Sequence, residues 1–302
     1  MEVTRIDLDG AGSPGALVTK ILKAETTLSA PVPIEALARQ LDIKDIREVV
    51  TENFEGGLIT DVSRSDGFIL VNKRSKGGRR RFTIGHELGH FLMTHHKPSR
   101  DQGFQCSRAD MRRWDFNAPN GAFRMEAEAN QFSALILMPP PLWRKATARY
   151  RDPDLTQVLA LANDFQVSKE AAARNYAQYH DALVAVVVVK DDKILRLYRN
   201  VTRFPRLCVA PGSAVPSSSL LFHATRQTEH PTSLEEGRAE HWLVSDWGVT
   251  LPPLYEQVLF AKEEFALIML WVEKPEEEDE QDDDRTSKER LRDRLATWRG
   301  ER

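Results

Sequence analysis

A five-residue motif, His86-Glu87-Leu88-Gly89-His90, constrains this 302-residue chain more than any other feature of its sequence. On an α-helix, residues four positions apart share a face, so His86 and His90 can aim both imidazoles at one zinc ion. Glu87 is one step round the helix, close enough to act as general base on a water at that ion. The bare motif has a competing interpretation, a helix with two exposed histidines. Apolar neighbours favour a core helix: Phe82, Ile84, Phe91, Leu92 and Met93.

A second segment, around residues 124–132, supplies a third zinc ligand. Glu126 and Asn130 are spaced i and i+4, so they share a helical face. Glu126 can complete a His-His-Glu zinc site whose fourth position stays open for water or substrate. Asn130 is then placed to orient a ligand histidine. Glu128 is the alternative third ligand, and ordinary solvated helix charge is the competing interpretation of both glutamates.

The chain has only two cysteines, Cys106 and Cys208, and no C-x-x-C motif. This pattern is typical of a reducing compartment, so we expect a cytoplasmic protein. Cys106 lies between the two motifs, where it is a candidate fourth zinc ligand of a latent state; an ordinary thiol is the favoured interpretation. The longest apolar runs, at residues 182–189 and 265–272, are far shorter than the ~20 residues that span a bilayer, so we expect no membrane association.

The two motif segments, RFTIGHELGHFLMTHH and MEAEANQFSALILMP, resemble the ImmA/IrrE family of zinc metallo-endopeptidases. The resemblance implies His86, His90 and Glu126 as zinc ligands and Glu87 as catalytic base. It also implies a protein substrate, a helix-turn-helix transcriptional repressor cut in a stress or mobile-element response. Two departures from the family pattern are mild, because Gly85 and Ser133 stand where alanine is common. The segment between the motifs, residues 97–123, is longer than the family minimum.

Strand-like segments at residues 47–52, 58–61 and 68–72 precede the motif helix. We expect them to form a small antiparallel sheet in an α+β fold, as part of a zincin-like, gluzincin-type helical domain. In zinc peptidases with this motif, an edge strand receives the extended substrate. By that analogy, residues 68–71 are the candidate edge strand.

Residues 154–165 and 168–180 predict two helices arranged like a helix-turn-helix, with Ser168 as N-cap of the second. The favoured role of this pair is to complete the helical domain, and DNA binding is the less favoured interpretation. Beyond them, strand-like segments indicate a β-rich α/β region that resembles, weakly, the sensory region of IrrE-like proteins. These segments are residues 183–189, 194–198, 207–210 and 265–272.

We therefore expect a zinc metallopeptidase domain over residues 1–150, a helix-turn-helix-like segment over 151–180 packed on it, and a C-terminal α/β domain, a sensory candidate, over 181–274. Residues 275–302 form an acidic tail, in which residues 276–284 carry eight acids and no base; we expect this tail to be disordered. A DNA-binding or sensory regulator with a structural or inactive zinc site is the alternative function. Glu87 favours the enzyme, since a structural zinc site needs no acid there.

Overall fold

The computed structural model describes residues 1–98, 103–227, 230–245 and 250–273. Within these ranges the chain is a mixed α+β protein, as predicted, with eight α-helices and two sheets. The helices are α1 (Pro14–Ala24), α2 (Ile34–Gln40), α3 (Gly77–Leu92), α4 (Gly121–Leu137), α5 (Pro140–Thr147), α6 (Leu155–Asp164), α7 (Lys169–Tyr179) and α8 (Ala239–Trp242). The strands are β1 (Ile43–Val49), β2 (Gly56–Thr60), β3 (Gly67–Asn72), β4 (Gly103–Cys106), β5 (Leu183–Lys190), β6 (Lys193–Arg199), β7 (Glu235–Glu236), β8 (Leu254–Phe260) and β9 (Phe265–Val272).

The first sheet has the strand order β1-β3-β2-β4 and is mixed, so the prediction of an antiparallel sheet is wrong for one pair. β1 runs parallel to β3, whereas β2 is antiparallel to both β3 and β4. The connection from β1 to β2 explains this arrangement. Asn72, at the end of β3, donates side-chain hydrogen bonds to the carbonyls of Thr51 and Phe54 in that connection. β2 therefore returns on the far side of β3.

The predicted substrate-binding edge, residues 68–71, lies inside β3 and is not an edge. β3 pairs on both sides, and its side chains are buried or half-buried along its whole length. The edges of the described sheet are β1 and β4. β4 falls in the long segment between the two motifs, where the sequence predicted no strand.

Two glycines that were predicted to form a turn, Gly56 and Gly57, instead begin β2. A Cβ atom at Gly56 would lie 2.4 Å from Thr83 Cγ2 and 2.6 Å from Glu87 Oε1. Only a residue without a side chain lets β2 run this close under α3. β2 therefore passes directly beside Glu87, the glutamate of the first motif.

Close packing of α3 against α4 brings the two motifs together. A Cβ atom at Gly85 would lie 2.6 Å from Ser133 Oγ, and one at Gly89 would lie 3.1 Å from the Phe132 ring. Because side chains are missing at these crossing points, the helix backbones approach more closely than larger residues would permit. α4, which carries the second motif, begins at an N-cap residue: the Asn120 side chain accepts a hydrogen bond from the Ala122 amide at 2.9 Å.

The second sheet is antiparallel, with the order β6-β5-β9-β8-β7. As predicted, β5 is buried on both faces. Val184, Val186 and Val188 pack in one core with α6 and α7, whereas Ala185, Val187 and Val189 pack in another core that contains Trp242.

Two strand predictions in this region need correction. Residues 207–210 form no strand and make only an isolated bridge through Leu207 to Leu243; prolines on both sides limit pairing there. β8 was missed because buried polar residues interrupt its apolar pattern. One of them, Glu256, accepts hydrogen bonds from Trp242 Nε1 at 2.7 Å and Ser219 Oγ at 2.6 Å.

The expected acidic tail, residues 275–302, lies outside the described residues. The predicted domain boundaries at residues 150, 180 and 274 stay predictions. Over the part of the chain that the structure describes, no helix has both the length and the apolar character needed to cross a bilayer.

Candidate metal centre

Three of the predicted ligands converge at the interface of α3 and α4. The Nε2 atoms of His86 and His90 lie 3.0 Å apart, and both side chains are fully buried. Glu126 places Oε2 at 3.2 Å from His86 Nε2 and Oε1 at 3.6 Å from His90 Nε2. Ligands at the usual Zn–N and Zn–O distances of a tetrahedral site are separated by about 3.3 Å. The spacing of this group therefore fits one ion held by all three side chains.

Cys106 joins the same group from β4. Its Sγ lies 3.8 Å from His90 Nε2, and the four ligand atoms of His86, His90, Cys106 and Glu126 all lie within 4.8 Å of one another. The thiol is buried. The sequence favoured an ordinary thiol over a fourth ligand, and that interpretation stays a prediction; in the structure the sulfur lies beside the three predicted ligands.

The His86 ring is held by Asn130. The Asn130 amide nitrogen donates to the carbonyls of Asp110 and Arg113 at 2.9 and 2.8 Å, so its Oδ1 is the atom that faces His86 Nδ1, at 2.9 Å. An amide oxygen only accepts, so the ring must donate from Nδ1. His86 Nε2 is then left with a lone pair directed at the group, which is the tautomer that a metal ligand needs.

A longer relay holds the His90 ring, and sequence reasoning missed it. His90 Nδ1 lies 2.9 Å from His96 Nδ1, and His96 Nε2 lies 2.8 Å from Glu128 Oε2. The Glu128 carboxylate also contacts His95 Nε2 at 2.7 Å. Because the carboxylate accepts from His96 Nε2, His96 Nδ1 accepts in turn from His90 Nδ1. His90 Nε2 therefore also presents its lone pair to the group.

Glu128 lies in this relay and not among the converging ligands, so the alternative of Glu128 as the third ligand has no support in the geometry. Residues two positions apart on an α-helix differ by about 200° around its axis. Glu128 therefore points away from the face that carries Glu126.

The electrostatics of the group call for a cation. Burial lowers the pKa of His90 to about 4, so this ring is neutral at pH 7 and free to act as a ligand. Burial also acts to lower the pKa of His86, but the hydrogen bond with Glu126 and the charge of that carboxylate outweigh burial and raise the pKa. Burial opposes ionisation of Glu126, yet the two histidines hold its pKa far below its usual range. A buried carboxylate therefore sits among neutral or proton-sharing rings, where an ion can replace the shared proton.

Glu87 is the buried acid beside the group. Its side chain is fully buried, and its carboxyl group has no hydrogen-bond partner other than the weak donor of the Cys106 thiol. Burial raises the pKa of Glu87 to about 8. A buried carboxyl group with so weak a partner is rare and costly, and such groups concentrate at functional sites. A nearby cation would lower the pKa of Glu87 and restore its charge.

Arg64 supports the end of α3, and no spacing rule in the sequence points to it. This buried residue has a left-handed backbone conformation, with φ of 52°, in the turn between β2 and β3. Its guanidinium donates to the carbonyls of His90, Phe91 and Met93 at 2.6, 3.0 and 2.8 Å, and also to the carbonyl of His96. The last turn of the ligand helix is thus satisfied from the sheet.

Comparisons with known proteins give one family match. Residues 38–176 match the Peptidase M78 family, described as an IrrE N-terminal-like domain. No curated protein matches the chain. Among solved structures, a Mycobacterium tuberculosis transcriptional regulator aligns with a TM-score of 0.47 and 10% sequence identity, over 89% of this chain and 74% of that chain.

Proposed function

We propose that the IrrE N-terminal-like domain formed by residues 38–176, which belongs to the Peptidase M78 family, acts as a zinc-dependent endopeptidase. One observation carries this proposal: the buried Glu87 carboxyl, whose hydrogen-bonding partner is only the weak donor of the Cys106 thiol, lies beside the converging side chains of His86, His90 and Glu126. Two imidazoles and one carboxylate are the donor set of a well-known class of catalytic zinc sites.

Each residue of the site has a separate role in peptide hydrolysis: three bind the metal, one transfers a proton, and the others orient the metal ligands. His86, His90 and Glu126 would hold zinc, which when bound activates water and polarises a peptide carbonyl. Glu87 takes the proton of the attacking water on its carboxylate and passes it to the leaving amine. Asn130 keeps His86 in the required tautomer, and the His96–Glu128 relay does the same for His90.

We also propose a zincin-like arrangement for this domain. α3 crosses over the first sheet, and β2, the strand antiparallel to β3, runs beside Glu87 through Gly56. By resemblance to the ImmA/IrrE family, the substrate is a helix-turn-helix transcriptional repressor, cleaved in a stress or mobile-element response. A cytoplasmic location goes with such a substrate.

The second candidate function is a DNA-binding or sensory regulator with a structural or inactive zinc site. The helix pair α6 and α7 would be its DNA-binding element. One face of α7 is buried, through Ala172, Ala173 and Tyr176, in the core shared with β5. Arg174, one of the few side chains on α7 suited to base contacts, lies over the Trp114 ring with its Cζ 3.4 Å from the ring centroid. These contacts favour a packing role for α7 over DNA binding.

A Glu87→Gln variant separates the two functions. Glutamine keeps the shape of the side chain but removes the base, so we expect cleavage of a purified helix-turn-helix repressor or a fluorogenic peptide library to fall by about 10²- to 10⁴-fold. Zinc content, measured by mass spectrometry, should stay at the wild-type level. Glu52→Gln, the same change at an exposed position, is the matched control and should cleave normally. Equal cleavage by wild type and Glu87→Gln would overturn the enzymatic proposal.

A further inference from the structure

We propose that Cys106 is a fourth ligand of the metal ion, so that the fold shown here is a closed, self-blocked state of the peptidase; the inference rests on the proposed function. A thiolate at the usual Zn–S distance lies about 3.6 Å from a histidine nitrogen on the same tetrahedral ion. Cys106 Sγ lies 3.8 Å from His90 Nε2. The sulfur therefore occupies the position that a catalytic site leaves for water.

The surroundings of the sulfur point to a ligand and not to a packing thiol. Cys106 is fully buried, and its thiol lies beside the equally buried carboxyl group of Glu87, which has no hydrogen-bond partner other than this weak donor. A packing cysteine is normally surrounded by apolar atoms. This one faces the imidazoles of His86 and His90 and the carboxyl group of Glu126, side chains that bind metal. Burial and the nearby carboxyl groups raise the pKa of the Cys106 thiol, so the thiolate forms here only with a cation bound to it.

The strand that carries Cys106 also covers the sheet edge beside the catalytic acid. β4 pairs antiparallel with β2, and Cys106 lies opposite Gly56. Gly56 is the residue whose missing side chain leaves room for Glu87. An extended substrate is expected to add to an open strand edge at such a site. Here β4 makes those backbone hydrogen bonds with β2, so β4 is the edge strand on this side of the described sheet and Cys106 lies on it.

Several contacts hold β4 in this position. The Phe104 ring stacks on the His90 ring, with centroids 4.5 Å apart. Gly103 has a φ of 149°, and a Cβ atom there would lie 1.9 Å from the carbonyl oxygen of Leu58, so only glycine fits. At the other end, the Glu55 amide donates to the Cys106 carbonyl at 3.0 Å. The closed state is thus built by both the backbone and the side chains of β4.

One block follows from this geometry, because the sulfur takes the water's position. Cleavage then requires an open form, in which the sulfur leaves the metal. A minor state of this kind is typically populated at about 0.1–10%, so removing the sulfur ligand should raise peptidase activity by about 10- to 1,000-fold.

The test compares the full chain as wild type, Cys106→Ala and Cys208→Ser, each loaded with Co²⁺ for optical spectra and with Zn²⁺ for X-ray absorption. Cys208 is the other free cysteine and is exposed, so it is the matched control. We expect a thiolate-to-cobalt charge-transfer band and a zinc–sulfur distance of about 2.3 Å in wild type and Cys208→Ser. Both signals should be lost in Cys106→Ala while one metal per chain is kept and peptide cleavage rises.

Stoichiometric metal in wild type without a sulfur ligand would overturn the inference, and cleavage by that protein would leave the proposed function standing. A sulfur signal that persists in Cys106→Ala would also overturn it, because the ligand would then be Cys208. Wild type that binds no metal even in excess would remove the proposed function as well. Circular dichroism of Cys106→Ala shows whether it folds; if it does not, the wild-type spectra alone decide whether sulfur is bound.

Discussion

Gly85 and Ser133 face each other where α3 crosses α4, and the structure predicts that they are energetically coupled. By the resemblance to the ImmA/IrrE family, both positions depart from a pattern in which alanine is common. A Cβ atom at Gly85 would lie 2.6 Å from Ser133 Oγ. The Ser133 hydroxyl cannot move away easily, because it is buried and donates a hydrogen bond to the Phe82 carbonyl at 2.7 Å. The two departures are therefore a compensating pair.

The size of the coupling follows from three terms. Gly85→Ala gains up to about 1 kcal/mol of helix propensity, but the contact with Ser133 Oγ costs about 1–3 kcal/mol of overpacking. We expect a net loss of about 1–2 kcal/mol in the free energy of unfolding. Ser133→Ala loses one hydrogen bond, worth about 1 kcal/mol. In the double variant the overpacking is largely relieved, so its stability should return to within about 1 kcal/mol of wild type, with a coupling of about 2 kcal/mol.

The assay is urea unfolding of wild type, both single variants and the double variant, followed by tryptophan fluorescence with saturating zinc and again with chelator. The two conditions separate packing from metal binding. Coupling below about 0.5 kcal/mol would mean that the two positions act independently. The close approach of the two helices at Gly85 would then not be what places Glu126 opposite the histidines.

Three further predictions concern the metal and the charges around it. Glu126→Ala should abolish stoichiometric zinc binding, whereas Glu128→Ala should weaken zinc binding by about 10- to 100-fold, because Glu128 acts only through the histidine relay. A competition titration with a fluorescent chelator measures both affinities. Equal losses in the two variants would contradict the assignment. Removing the metal should lower the melting temperature, since a ligand at 100 times its Kd adds about 2.7 kcal/mol of stability; an unchanged melting curve with chelator would show that the metal does not hold the fold. Burial opposes ionisation of Glu55, but hydrogen bonds from Ser75 and Arg108 hold its pKa below the usual 4.5. The Glu55 carboxylate therefore contributes its full stabilisation above pH 4.5, and this stabilisation is lost as the pH falls through the pKa of Glu55 in the folded state. Glu55→Gln should therefore flatten the acid limb of a pH series of thermal melts, and an unaltered slope would count against this cause.

Local helix geometry explains why so much of the candidate site was predictable. The i, i+4 spacing of His86 and His90, and of Glu126 and Asn130, sets which side chains share a face before any tertiary contact forms. The position of Cys106 was beyond such rules, because it depends on how β4 pairs with β2. The same holds for the His96 relay, which starts six residues from His90 after the helix has ended.

The fold shows the same limit. The strand at residues 68–72 was predicted from its own apolar pattern, but its central place in the sheet depends on where β2 returns. β8 escaped prediction for the opposite reason. Glu256 and Gln257 break its apolar pattern, and their partners, which include Trp242 and Asp154, come from distant parts of the chain.

Arg64 has a consequence for how fast the metal can leave. The last turn of a helix normally frays, because its carbonyls lack partners. Here one guanidinium satisfies three of them, at His90, Phe91 and Met93, from the turn between β2 and β3. The His90 end of α3 can then open only together with that hairpin. We expect the amides of this turn to exchange with solvent as slowly as those of the sheet, and bound zinc to dissociate on the same slow timescale.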